Sequence, residues 1–159
     1  MTAHHDHRTR AAVERHPVDK DATDLELALE AARSRGAGSV VVVGGHGGRL
    51  DHLLANALLL ASPRFAELRV DARMGDAHVT VIRDRAELSG APGTLCSLLP
   101  VGGAAIGVET EGLRFPLHHE TLDPASTRGI SNEFVATVAT VSVAAGVLLA
   151  VVPQPREDS

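Results

Sequence analysis

The sequence predicts an α/β unit followed by an all-β domain, and three observations carry this prediction. A helix signal, a β-branched run, a glycine-rich loop and a second apolar helix signal follow one another between residues 23 and 61. After residue 94 the chain changes to short β-rich runs separated by Gly, Pro and Asn. Val135 to Val143 alternates with a period of two, which indicates a strand with one buried face.

The composition narrows the classes of function. With 44% hydrophobic residues among 159, the chain can fill a core, but its aromatic content of 2% provides no platform for stacking bases. A net charge of -5 without a basic cluster disfavours nucleic acid, so small molecules are the expected partners. The single cysteine, Cys96, fits a reducing compartment, and no apolar run reaches the roughly 18 residues of a membrane helix. We therefore expect a cytoplasmic protein without membrane or nucleic-acid contacts.

The first helix is predicted to begin after Thr23. Thr23 and Glu26 have the spacing of a capping box, and Gly36 or Gly38 is expected to end the helix. An apolar stripe with helical spacing lies between these signals, formed by Leu25, Ala28, Leu29 and Ala32. Residues 1–18, before the helix, form a polar leader.

A strand, a glycine loop and a second helix are predicted next. The run Ser39 to Val43 is β-branched after its first residue, as in a parallel strand buried on both faces. Leu50 to Ala61 is apolar almost all round, so this helix should pack inside the domain. Asn56 is polar within that run and needs hydrogen-bond partners where it is buried.

The remaining boundaries follow from turn signals. Short strands are predicted at Leu68 to Asp71 and His78 to Ile82, before a turn-rich SGAPG break. The expected organisation is a leader, an α/β unit, an all-β domain and a loose tail, at residues 1–18, 19–88, 89–153 and 154–159.

The densest group of charged residues is the run DKDATD, residues 19–24. Thr23 and Asp24 can be explained as helix caps. Asp19 and Asp21 cannot, because two like charges so close repel each other unless a cation lies between them. Carboxylate oxygens beside Lys20 suit Mg²⁺ that bridges a polyphosphate, with the ammonium neutralising a further oxygen.

The second motif, GGHGGRLDH at residues 44–52, lies between the predicted strand and helix. Its four glycines allow close approach of a ligand to the backbone, although tight strand-to-helix turns also use glycine. Neither common phosphate-loop spacing is present, since Leu50 replaces the last glycine of one and the Gly-Lys-Ser/Thr ending of the other is missing. Arg49 is well placed to fork onto phosphate oxygens, with Asp51 beside it.

A third polar segment, GISNEF at residues 129–134, precedes the long β run. It is either an ordinary turn or a corner where the Ser131 hydroxyl and the Asn132 amide recognise a substrate. A nucleophilic Ser or Cys with a partnering base is not evident, which disfavours a hydrolase triad.

Taken in order, DKDATDLELAL, VVVGGHGGRLDHLLAN, SLLP, GLRFPL, GISNEF and GVLLAVV closely resemble thiamine pyrophosphokinases over about residues 17–152. The resemblance implies a three-layer, Rossmann-like α/β domain with a mostly parallel sheet, followed by a β-sandwich domain. It also implies a homodimer with thiamine in a cleft between subunits, and transfer of diphosphate from ATP to the thiamine hydroxyl with release of AMP.

The resemblance implies roles for individual residues as well. Asp21 would ligate Mg²⁺ with Asp19 and Asp24 near it. The phosphates of the nucleotide would lie on Lys20, Gly47, Gly48 and Arg49. The substrate would be contacted by Asp51, Ser131 and Asn132, the last two facing thiamine. Positioning and charge screening would supply most of the catalysis.

One departure from the family pattern matters. The family has a Gly-Asp-x-Asp-Ser type loop upstream of DKDATD, and residues 1–18 contain nothing like it. The sequence therefore leaves three alternatives to an intact kinase: a shortened form of a longer enzyme, a noncatalytic homologue that binds thiamine or nucleotide, or a structural remnant that dimerises and binds neither.

Overall fold

The structure, a computed structural model, describes residues 22–154. Within this part there are two α-helices, α1 (Asp24–Ser34) and α2 (Leu50–Leu60), and a short 3-10 helix (Pro63–Phe65). The strands are β1 (Ser39–Val43), β2 (Arg69–Met74), β3 (Ala77–Ile82), β4 (Arg85–Ser89), β5 (Leu95–Pro100), β6 (Ala105–Glu111), β7 (Glu120–Leu122), β8 (Asn132–Glu133), β9 (Val138–Ser142) and β10 (Leu148–Pro153). Neither α-helix has the length and apolar character needed to cross a bilayer.

The strands form two sheets. The larger has the order β1-β2-β3-β10-β5-β8, and the smaller has the order β4-β9-β6-β7. Among these strands only β1 and β2 pair in parallel, so the mostly parallel sheet expected from the sequence is corrected to a mostly antiparallel one. The physical reason is the two-residue Gly75-Asp76 turn between β2 and β3, since a parallel neighbour needs a crossover of a dozen residues or more. The three-layer, Rossmann-like arrangement stays a prediction.

Two hydrophobic cores lie on opposite faces of the larger sheet. The first core holds α1, α2 and the 3-10 helix against β1 to β3, with members such as Leu29, Leu60, Phe65, Val70 and Ala72. The second packs the larger sheet against the smaller one, with members such as Ile82, Leu98, Val108, Phe134 and Val141. Successive residues of β10 alternate between them, because Leu149 belongs to the first core and Leu148 and Ala150 to the second.

Helix α1 begins and ends where the sequence predicts. The Thr23 hydroxyl accepts a hydrogen bond from the Glu26 N–H at 3.2 Å, which confirms the N-cap. The Glu26 carboxylate bonds to the Arg64 guanidinium on the 3-10 helix, so this side chain ties α1 to its neighbour. At the other end Gly36, with φ of 74°, and Ala37 donate their N–H groups back into the last turn, a Schellman ending.

Strand β1 matches its predicted bounds but not its predicted burial. Val41 and Val43 are 64% and 78% exposed, so the expectation of burial on both faces is wrong for this strand. Val40 and Val42 pack towards the helices. Because β1 is the edge of the larger sheet and the smaller sheet covers the other end, the second face of β1 has no layer against it among residues 22–154.

Helix α2 is also less buried than its composition suggests. Leu50, Leu54 and Leu58, spaced four residues apart, are each more than half exposed, which corrects the expectation of a helix packed on all sides. Leu53 and Leu60 face the first core. An outer helix contacts the sheet through one stripe only, so a second apolar stripe faces outward.

Cys96 gives a test of the second core. Its side chain is fully buried, and this burial raises the pKa of the thiol to about 11. A neutral, buried thiol is a poor nucleophile near pH 7. We expect Ellman's reagent to label the native chain negligibly and to label it stoichiometrically in guanidinium chloride. Rapid labelling of the native chain would contradict this packing.

Candidate functional site

A cavity of about 650 Å³ extends along β1 from Val40 to Val43 and reaches the carboxyl end of this strand. Helix α1 runs back along β1 and α2 leaves from its end, so the first turns of both helices reach this place. The walls include Thr23 and Asp24 at the start of α1, Gly45 of the loop, and His52 and Asn56 of α2. The structure therefore brings one end of the DKDATD run and Gly45 of the glycine loop to one cavity, whereas Gly47, Gly48, Arg49 and Asp51 are not part of its walls. In parallel α/β sheets ligands bind beyond the carboxyl ends of the strands, and β1 and β2 form such a parallel pair.

Arg49 and Asp51 pair with each other at the start of α2. The Arg49 guanidinium donates from Nε to Oδ1 of Asp51 at 3.1 Å and from Nη2 to Oδ2 at 2.5 Å. The hydrogen bond from Arg49, followed by one from the backbone N–H of His52, holds the pKa of Asp51 below its usual value. Asp51 is therefore ionised at neutral pH, and the two-point contact orients the guanidinium beside the helix N-terminus.

The four glycines of the loop differ in backbone conformation. Gly44 and Gly45 have φ of 99° and 79°, a conformation that favours glycine. Gly47 and Gly48 have no positive φ, and a Cβ on either would meet no atom of the described chain within 4 Å. Internal packing in that part of the chain gives no reason for these two glycines. Close approach of a ligand to the backbone would give one.

Asn56 fixes the glycine loop from α2. Its Nδ2 donates to the carbonyl oxygen of Gly45 at 2.9 Å. The ring of His46 lies over the β2–β3 turn, where a Cβ on Gly75 would come within 3.3 Å of it. Sequence reasoning marked Asn56 only as a polar residue that needs partners, and its connection to the loop is a finding of the structure.

Replacing Asn56 by Ala should loosen the loop without unfolding the chain, because one hydrogen bond to Gly45 is lost. We expect amide hydrogen exchange in residues 44–49 to become about tenfold faster, the amount set by one net hydrogen bond. Ala55→Ser, at an exposed neighbouring position of α2, is the matched control. Equal exchange in both variants would show that Asn56 does not hold the loop.

A second polar location surrounds the GISNEF segment. Ser131 has a left-handed backbone, with φ of 57°, and its N–H donates to the Ser97 hydroxyl at 3.1 Å. Asn132 is only 6% exposed, and its side chain bonds to the backbone of Phe115 and Glu133. The direct contacts to thiamine predicted for Ser131 and Asn132 stay predictions.

Phe115 is a residue that sequence reasoning did not single out. It is 53% exposed, whereas Phe65 and Phe134 are fully buried. The guanidinium carbon of Arg114 lies 5.7 Å from the centre of its ring, and Nη1 of Arg114 lies 3.2 Å from the Glu133 carboxylate. The available signal was a phenylalanine between Arg and Pro in a short non-strand segment. An exposed aromatic ring beside a polar corner can contact a flat ligand.

The predicted site residues fall into three groups. Asp19, Lys20 and Asp21 lie outside residues 22–154, and Asp24 lines the cavity. Gly47, Gly48, Arg49 and Asp51 form the loop and the first turn of α2. Ser131 and Asn132 lie at β8, the far edge of the larger sheet from β1. In the described part no group of three or more His, Cys, Asp or Glu is arranged to hold a metal.

The two halves of the chain match the two domain models of one family. Residues 2–72 match the model described as "Thiamin pyrophosphokinase, catalytic domain". Residues 79–148 match "Thiamin pyrophosphokinase, vitamin B1 binding domain". The matches cover the DKDATD run, the glycine loop and the GISNEF segment.

Similar proteins carry the same description. The thiamine pyrophosphokinase of Bacillus subtilis is 27% identical over 142 residues, which are 83% of this chain and 63% of the relative. A crystal structure of the Bacillus subtilis enzyme has a TM-score of 0.76 at 25% identity and covers 86% of this chain and 65% of its own. That of Geobacillus thermodenitrificans has a TM-score of 0.73 at 27% identity, with 89% and 66% covered.

The chain thus spans slightly less than two thirds of the length of these relatives. Its similarity is nevertheless continuous, since the catalytic and vitamin-binding models follow each other along it in order. The sheet-rich fold with two sheets and few helices agrees with the solved relatives. The chain belongs to the thiamin pyrophosphokinase family.

Proposed function

We propose that the chain acts as a thiamine diphosphokinase, which transfers diphosphate from ATP to the hydroxyl of thiamine and releases AMP. The observation that carries this proposal is the cavity at the end of β1, to which Asp24 and the glycine loop both contribute. The family matches support this reaction, and the cavity is its proposed location. A cytoplasmic location, a three-layer nucleotide-binding part up to residue 88 and a thiamine-binding part after it belong to the same proposal.

The nucleotide phosphates are proposed to bind along the glycine loop. The backbone at Gly47 and Gly48 is open to close approach, and the first turn of α2 offers N–H groups to an anion. Arg49, oriented by Asp51, adds a guanidinium at the same place. Lys20 would add an ammonium from the preceding motif.

Magnesium is proposed to bind at Asp21 with Asp19 and Asp24. Carboxylates are the hard oxygen ligands that Mg²⁺ prefers, and Asp24 stands on the cavity wall. When bound, the metal supplies positive charge that offsets the negative charge of the polyphosphate. Lys20 and Arg49 hold the phosphates, and the hydrogen bond from Arg49 keeps Asp51 ionised beside them.

The reaction needs alignment more than covalent help from the protein. The thiamine oxygen bonds to the β-phosphorus of ATP and the hydroxyl proton is released. The bond from this phosphorus to the oxygen that bridges to the α-phosphate breaks, and AMP leaves with that oxygen. Cations and backbone donors around the phosphates stabilise the charge that spreads during transfer.

Thiamine is proposed to bind at Phe115 and Ser131, next to Asn132, with Asp51 at the boundary to the phosphates. The exposed Phe115 ring offers a flat apolar surface, and the thiazolium of thiamine is a cation that an aromatic face attracts. The charge of the neighbouring Arg114 is partly offset by its ion pair with Glu133.

These two groups of residues support a site made by two chains. β1 and β8 are the outermost strands of a six-stranded sheet, so five strand spacings, about 24 Å, separate them within one chain. Thiamine is too short to join its binding residues to the glycine loop across that distance. We infer a homodimer in which the glycine loop of one chain faces Phe115 of its partner.

The reaction itself is the first test. We expect the purified chain with ATP, Mg²⁺ and thiamine to form thiamine diphosphate and AMP in equal amounts. Asp21→Asn should lower the rate about a hundredfold or more, because one charged group at the transferring phosphate is lost. Asp84→Asn is the control.

The outcomes separate the alternatives. Thermal stabilisation by thiamine without AMP would favour a noncatalytic binder. An Asp21→Asn variant with full activity would remove Asp21 from the site.

Mixing two inactive variants tests the shared site. Arg49→Ala removes the phosphate cation, and Phe115→Ala removes the proposed thiamine contact. When the two chains exchange subunits, half of the dimers are mixed and each has one intact site, so about a quarter of the wild-type activity should return. No recovery, with subunit exchange verified by mass spectrometry, would place the site within one chain.

A further inference from the structure

We propose that Asn132 is a positioning residue, which holds Phe115 in the orientation that thiamine recognition needs, instead of contacting thiamine itself. The inference rests on the proposed function and assigns to Asn132 a role within that site. It follows from how the Asn132 amide is used and from how little else fixes Phe115.

The Asn132 side chain binds both polar groups of the Phe115 backbone. Nδ2 donates to the Phe115 carbonyl oxygen at 2.7 Å, and Oδ1 accepts from the Phe115 N–H at 3.0 Å. Oδ1 also accepts from the N–H of Glu133 at 2.9 Å. The amide thus acts as a strand partner for a residue that belongs to no strand.

These bonds leave little capacity for a ligand. The side-chain oxygen of asparagine has two lone pairs, and the N–H groups of Phe115 and Glu133 use both. One N–H of Nδ2 remains, on a residue that is only 6% exposed. A buried amide with this pattern stabilises local structure more readily than it recognises a solvent-side molecule.

The neighbouring contacts fix the ends of the segment but not its centre. Arg114 donates its backbone N–H to the Glu133 carbonyl oxygen at 2.8 Å. On the other side the N–H of Leu117 donates to the hydroxyl of the buried Thr110 at 2.9 Å. Between them Phe115 depends on Asn132, so losing this amide frees the backbone of the residue that carries the exposed ring.

Trp fluorescence can report on position 115 directly, because the chain contains neither Trp nor Tyr. Phe115→Trp introduces a single fluorescent reporter at the exposed position. In this background we compare Asn132→Ala, which loses all three hydrogen bonds, with Asn132→Asp, which keeps the two accepted bonds and loses the donated one. Arg128→Ala is the control, since its two bonds to Glu120 lie in the same region but not on Phe115.

In Asn132→Ala we expect a faster anisotropy decay of the Trp at position 115. We also expect the Kd for thiamine, measured by quenching of this Trp, to rise about tenfold, the effect of roughly one net hydrogen bond or slightly more. Asn132→Asp should fall between this variant and the parent, and Arg128→Ala should match the parent. With Phe115 retained, Asn132→Ala should raise the KM for thiamine and leave that for ATP unchanged.

A role in stability alone predicts a different result. The melting temperature of Asn132→Ala would fall, while the anisotropy decay and thiamine affinity of the folded protein stayed at the parent values. That result would overturn the proposal. If the unmodified chain neither binds thiamine nor forms AMP, the proposed function fails, whereas the anisotropy decay still reports whether Asn132 holds position 115.

Discussion

Both hydrophobic cores depend on β10, because this strand pairs with β3 on one side and β5 on the other. Its alternate side chains enter the core under the helices and the core between the sheets. The pairing also fixes the distance between β1 and β8, and with it the separation of the glycine loop from the GISNEF corner. A polar side chain in the middle of β10, for example at Ala150, would lie in the second core and weaken the packing of the larger sheet against the smaller one.

Local patterns predicted the elements well. The cap at Thr23, the bounds of β1 and the ending at Gly36 are encoded by adjacent residues, and the structure confirms them. Burial and pairing depend on contacts distant in sequence. An apolar run such as Ser39 to Val43 looks the same at the edge of a sheet as in its centre, so the exposure of Val41 and Val43 could not be read from it.

In the candidate site, too, features encoded by adjacent residues were predicted and contacts between distant residues were not. Charge density and glycine spacing marked the two motifs proposed to bind phosphate, because both features can be read from adjacent residues. The local signal at Phe115 is weak, and the backbone of this residue is hydrogen-bonded by an amide 17 residues further along the chain. The bond from Asn56 to Gly45 spans 11 residues and was equally hidden. A contact between residues distant in sequence leaves no local pattern from which it could be predicted.

β10 is synthesised after β3 and β5, the two strands between which it pairs. β10 follows in the chain every strand that it joins, so β3 and β5 leave the ribosome long before the strand that lies between them. Until then both expose unpaired edges and apolar faces. Long-range pairing of this kind is slow and leaves intermediates open to aggregation. Until β10 has emerged, the nascent chain is therefore open to aggregation at the edges of β3 and β5.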